Sequence, residues 1–127
     1  MDNKEILGQL SETSGVAGAE RKISQQVKKL LGRYVEEVRA DTLGNLIGYK
    51  PGSDGQIKVM LAAHMDEIGL MITEINEGFL HFTAVGGIDE RTLVGQEVVV
   101  QPADGCYRGI IGAKPPHIQE KEEQKKS

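Results

Sequence analysis

One short stretch of the sequence places an imidazole and two carboxylates between apolar residues. His64, Asp66 and Glu67 lie within residues 62–70 (AAHMDEIGL). Residues two apart on an extended backbone point to the same side, so His64 and Asp66 can face one site while Glu67 points to the other. Imidazole binds zinc or cobalt, and a nearby carboxylate can orient the metal-bound group. The stretch is therefore a candidate metal site; a solvated turn is the alternative, because two residues do not complete such a site.

The residues before this stretch predict the element that positions it. Residues 57–63 (IKVMLAA) are almost continuously apolar after Lys58, which is typical of a strand covered on both faces of a sheet. In open α/β sheets, ligands bind beyond the carboxyl ends of the strands. His64 and Asp66 would emerge at such an end, so we expect an α/β fold with a buried strand ending at His64.

Periodicity and turn residues predict the remaining elements. A short amphipathic helix ends near Ser11, and a second helix runs from Glu20 to about Tyr34 with one apolar stripe. Strands and hairpins are predicted over 35–40, 45–49, 68–75 and 79–85, with a turn at 51–55 and a β-rich unit beyond Val85.

Composition excludes several classes of function. The 127 residues carry a net charge of −4, which argues against a nucleic-acid partner. No signal peptide or membrane-spanning apolar run is present in the sequence, so no membrane partner and a cytoplasmic location are expected. Cys106 has no second cysteine to pair with, which suits a reducing compartment.

Four segments in order carry a resemblance to a known family. They are residues 10–20 (LSETSGVAGAE), 41–48 (DTLGNLIG), 63–71 (AHMDEIGLM) and 109–117 (GIIGAKPPH). Together they resemble the glutamyl or tetrahedral aminopeptidases, which are cytosolic dinuclear metallopeptidases. The resemblance spans nearly the whole chain.

This resemblance implies a fold, a reaction and roles for two residues. Residues 1–70 would be the start of a zinc-peptidase-like α/β catalytic domain, and 71–127 the first, incomplete part of an inserted β-barrel domain of the dimerisation type. His64 would be a metal ligand and Asp66 the catalytic carboxylate beside it. Two divalent metal ions, zinc or cobalt, would act on peptide substrates in a homo-oligomer built through the inserted domain.

The family's other ligands and its general base have no counterpart in this sequence. We therefore expect an amino-terminal fragment of a metal-dependent aminopeptidase that is inactive as this chain alone. The alternative is a non-catalytic oligomerisation or interaction module, or a decayed gene product. Of the other candidates, His81 is expected on a solvated strand face, His117 in a structural role, and Cys106 as a small, buried or half-buried residue without a catalytic role.

Overall fold

The computed structural model describes residues 2–53 and 56–113. Contacts divide the chain into two compact units, residues 1–88 and the residues from 89 onwards. In chain order the helices and strands are α1 (Asn3–Ser11), α2 (Arg21–Leu31), β1 (Glu37–Ala40), β2 (Leu46–Tyr49), β3 (Gly69–Asn76), β4 (Phe79–Val85), β5 (Glu97–Val100) and β6 (Tyr107–Ile110).

Within the described residues, the strands form three separate antiparallel pairs, β1–β2, β3–β4 and β5–β6. The longest pair aligns Gly69 with Val85 and Asn76 with Phe79. Its two turn residues, Glu77 and Gly78, have φ angles of 50° and 84°, the left-handed geometry whose twist suits a two-residue hairpin. The hairpin predicted over 68–85 is therefore confirmed.

The two helices pack against each other in the first unit, and α2 supplies the buried aliphatic residues. Ile23 and Leu30 on α2 are buried, as the apolar stripe predicts. The Gln26 side-chain amide on α2 donates to Oε1 of Gln9 on α1 over 2.7 Å. A Cβ added at Gly48 of β2 would lie 2.8 Å from a Leu31 methyl group, so α2 packs closely on this strand.

The second unit contains a short 3-10 turn followed by the β5–β6 hairpin. Asp89 accepts hydrogen bonds from the backbone amide and the guanidinium of Arg91 at the start of this turn. The backbone amide of Gly95 donates to the Ile111 carbonyl, and the buried Ile111 donates to Gln96, so pairing continues past β6. The predicted barrel and the predicted domain boundary at residue 70 stay predictions. His117 lies outside the described residues.

The buried strand predicted over residues 57–63 is wrong. These residues form no strand, and their large apolar side chains are exposed, with Leu61 at 94%. A strand covered on both faces needs hydrogen-bonded neighbours on both edges and packing partners above and below. Every strand in the described residues pairs with another through a hairpin, and none pairs with this segment.

Among the described residues, no helix has the length and apolar character needed to cross a membrane.

Candidate functional site

The stretch that carries His64 and Asp66 is tied to the loop that precedes α2. Val16 and Glu67 form an isolated parallel bridge. The backbone amide of Glu67 donates to the carbonyl of Gly15 over 2.9 Å. In return, the Gly15 amide donates to Oε1 of Glu67, also over 2.9 Å, across 52 positions of sequence. The candidate site is thus fixed by long-range contacts immediately after Asp66.

Two glycines allow this close approach. A Cβ at Gly15 would overlap the Ile23 side chain, and a Cβ at Gly69 would overlap the Val16 side chain. Gly15 is itself buried. Both positions therefore require the absence of a side chain so that loop and strand can meet.

His64 and Asp66 lie together, as their spacing predicts. Nδ1 of His64 is 2.9 Å from the backbone oxygen of Asp66 and 3.3 Å from its Oδ1. The two side chains are 84% and 44% exposed, respectively. Because a carbonyl oxygen only accepts hydrogen bonds, the Nδ1 contact is made by a protonated Nδ1.

This arrangement sets the chemistry available to the imidazole. With its proton on Nδ1, neutral His64 keeps a lone pair on Nε2, which is the form that binds a divalent metal. A carbonyl or carboxylate on the other ring nitrogen fixes the ring orientation of a metal-binding histidine. His64 therefore fits the role of one metal ligand, with Asp66 supporting it. The described residues contain no group of three or more metal-ligating side chains, so the donor set they offer is incomplete.

The other titratable candidates lie apart from this pair. His81 is exposed on β4, where its register partner is Glu74, in agreement with the expected solvated face. Cys106 is a free, exposed thiol, so the expectation that it is buried or half-buried is wrong. Sequence reasoning placed Glu67 on the opposite side from Asp66 but missed its contact with Gly15. The local spacing of residue types does not predict a contact between residues so far apart in sequence.

A model of a known protein family matches most of the chain. Residues 44–127 match the M42 glutamyl aminopeptidase model. The lysyl aminopeptidase of Pyrococcus furiosus is 38% identical over 117 residues, which are 91% of this chain and 33% of that protein.

Solved structures agree with this match. An aminopeptidase from the archaeon Desulfurococcus kamchatkensis superimposes with a TM-score of 0.83 at 44% identity, over 91% of this chain and 33% of its own. PhTET1-12s, a dodecamer, gives 0.75 at 37% identity, over 94% and 36%. A Thermotoga maritima protein described as an endoglucanase gives 0.76 at 40% identity, over 87% and 34%.

The chain spans about a third of the length of the relatives it matches. The family match covers the segment from 44 onwards, which includes the paired His64 and Asp66. This chain belongs to the M42 glutamyl aminopeptidase family.

Proposed function

We propose that this chain supplies the first part of the active site of a metal-dependent aminopeptidase, with His64 as a metal ligand and Asp66 as the catalytic carboxylate beside it. The paired geometry of these two residues, within the segment that matches the family, carries the proposal. The aminopeptidase names of the relatives support the reaction class, which is removal of amino-terminal residues from peptides.

The protein residues have distinct tasks in this proposal. His64 offers Nε2 outward, and the Asp66 backbone and carboxylate hold the ring from its Nδ1 side. Two divalent ions, zinc or cobalt, would supply Lewis-acid activation of a water and of the peptide carbonyl when bound. The remaining ligands and the general base would come from outside the described residues.

The assembly, domain organisation and location belong to the same proposal. A homo-oligomer is supported by the dodecameric PhTET1-12s, and the expected interface is the inserted β-barrel domain begun by residues 71–127. We place the protein in the cytoplasm, consistent with its one exposed thiol.

An interaction module is the second candidate. It is favoured by the exposed apolar residues of the β3–β4 hairpin, among them Met71, Ile75 and Phe79. The two candidates differ in what they require of His64: an aminopeptidase needs its imidazole, whereas an interaction module does not.

The first experiment measures hydrolysis of a panel of aminoacyl chromogenic substrates by the purified chain, with zinc or cobalt added. We expect no turnover, because the described residues offer an incomplete donor set. Turnover that disappears in His64→Ala would show that the site is not incomplete and would directly support the aminopeptidase hypothesis.

A chimera tests the role of the two residues. This chain replaces the matching first third of the lysyl aminopeptidase, and the chimera is assayed on the same substrates. We expect the chimera to hydrolyse them, and we expect His64→Ala and Asp66→Asn to lower kcat by about a hundredfold or more. His81→Ala is the matched control, with an exposed histidine removed from β4. An active His64→Ala chimera would overturn the proposed ligand role.

A further inference from the structure

We propose that Glu67 is a positioning residue of this site: its carboxylate anchors the loop of residues 13–19 beside His64 and Asp66, so that the loop forms one wall of the site. The term "site" rests on the proposed function above. The anchoring itself rests on geometry alone and can be tested without turnover.

The anchor is a reciprocal pair of hydrogen bonds between residues that are distant in sequence. Gly15 N to Glu67 Oε1 and Glu67 N to Gly15 O are both 2.9 Å, and Val16 and Glu67 form the bridge between them. One of the two bonds uses the Glu67 side chain, so this bond depends on the identity of residue 67, whereas the backbone bond does not. The Glu67 carboxylate is thus the side-chain acceptor of the Gly15 amide.

The Glu67 acceptor is important because Gly15, which donates to it, is buried. Gly15 is buried against Ile23 of α2, and Val16 lies against Gly69 at the start of β3. A buried backbone amide that loses its acceptor pays the desolvation cost without compensation. Glu67 itself is exposed, so removing its carboxylate would weaken the attachment of the loop to the segment that carries His64 and would leave the Glu67 N to Gly15 O bond in place.

The geometry requires an acceptor of the right reach rather than a charge. Glutamine at 67 keeps Oε1 at the same distance from the backbone, whereas aspartate keeps the charge but shortens the side chain by one methylene. The two substitutions thus separate anchoring from metal ligation. A glutamate that bound a metal would be poorly replaced by glutamine, because carboxylates are the harder and charged ligands.

The test measures amide hydrogen exchange of the full 127-residue chain by NMR, in Glu67→Gln, Glu67→Asp and Glu67→Ala. We expect protection of the Gly15 amide to fall about tenfold or more in the Ala and Asp variants and to change less than about threefold in the Gln variant. Glu74→Ala and Glu74→Gln, at an exposed carboxylate on β3, are the matched controls and should leave Gly15 unchanged. Exchange of β3–β4 amides reports whether each variant remains folded.

A zinc titration of the same samples links the anchor to the site. Zinc ion alone should shift the His64 ring and the Gly15 amide together in the unmodified chain and in Glu67→Gln, and should shift the His64 ring without Gly15 in Glu67→Ala. If Gly15 protection is unchanged in Glu67→Ala, or if Glu67→Gln is as damaging as Glu67→Ala, the anchor is overturned. If protection falls as expected but the His64→Ala chimera keeps its activity, the anchor stands and the proposed ligand role of His64 fails.

Discussion

Two apolar stretches flank the His64–Asp66 pair, and one of them becomes a strand. Residues 57–63 before the pair are exposed and form no strand, whereas residues 69–76 after it form β3. Hydrophobicity does not separate the two, since both contain Ile, Leu and Met. The two stretches differ in whether a neighbouring strand is available to pair with them.

β3 has its partner two residues away, because Glu77 and Gly78 turn the chain directly into β4. A short loop closes at small entropic cost, and pairing follows from local sequence. A strand that is buried on both faces of a sheet must instead pair with strands from distant parts of the sequence. An apolar run can therefore form a strand, but the availability of a pairing partner decides whether the strand forms.

Substitutions at Leu30 and Leu61 test whether residues 57–63 are uncovered. Leu30→Ala should lower the free energy of unfolding by about 2–5 kcal/mol, because a buried side chain that is 6% exposed leaves a cavity. Leu61→Ala should change the same quantity by less than about 0.5 kcal/mol, because Leu61 is exposed. Urea denaturation of both variants measures the difference. Equal costs would mean that Leu61 is packed, and the comparison would fail.

A second substitution tests whether the turn is what gives β3 its partner. Gly78 has a φ of 84°, a left-handed conformation that costs an ordinary L-residue about 1–2 kcal/mol. Gly78→Ala should lower the free energy of unfolding by about this amount and weaken exchange protection along β3. Gly52→Ala is the control: among the described residues, none other than its chain neighbours comes within 4 Å of the added Cβ, and its φ is not in the left-handed region. A Gly78→Ala variant as stable as this control would show that β3–β4 pairing does not depend on its turn.

The same distinction between local and distant partners explains what the sequence could predict. The helices, the hairpin centred on Gly78 and the juxtaposition of His64 with Asp66 depend on spacings of a few residues, and each was predictable. The Glu67–Gly15 anchor depends on residues that are 52 positions apart, so no pattern in the sequence points to it. The strand predicted over 57–63 failed for the converse reason, since its pattern is local but its partners are not.

The turn that closes the β1–β2 hairpin also depends on a local partner. The Asn45 side-chain amide donates a hydrogen bond to the Asp41 carboxylate over 2.8 Å. This bond is the main reason that the pKa of Asp41 lies below its ordinary value of 3.8. Slight burial raises that pKa, and the backbone amides of Asn45, Leu43 and Gly44 lower it further. Because these bonds favour the ionised form in the folded chain, they stabilise the turn above the unfolded-state pKa, and this stabilisation is lost as the pH falls through the lowered folded-state value.

Asn45→Ala removes the strongest of these donors, so an NMR titration should show the pKa of Asp41 rising toward its ordinary value. Asp89 provides the comparison, because its pKa is lowered first by a hydrogen bond from the charged Arg91 side chain and then by one from the Arg91 backbone amide. High salt should raise the pKa of Asp89 toward its ordinary value and leave that of Asp41 nearly unchanged, since screening weakens an exposed ion pair more than a neutral hydrogen bond. An equal response to salt at both sites would mean that charge, rather than the local amide partner, holds the Asp41 turn.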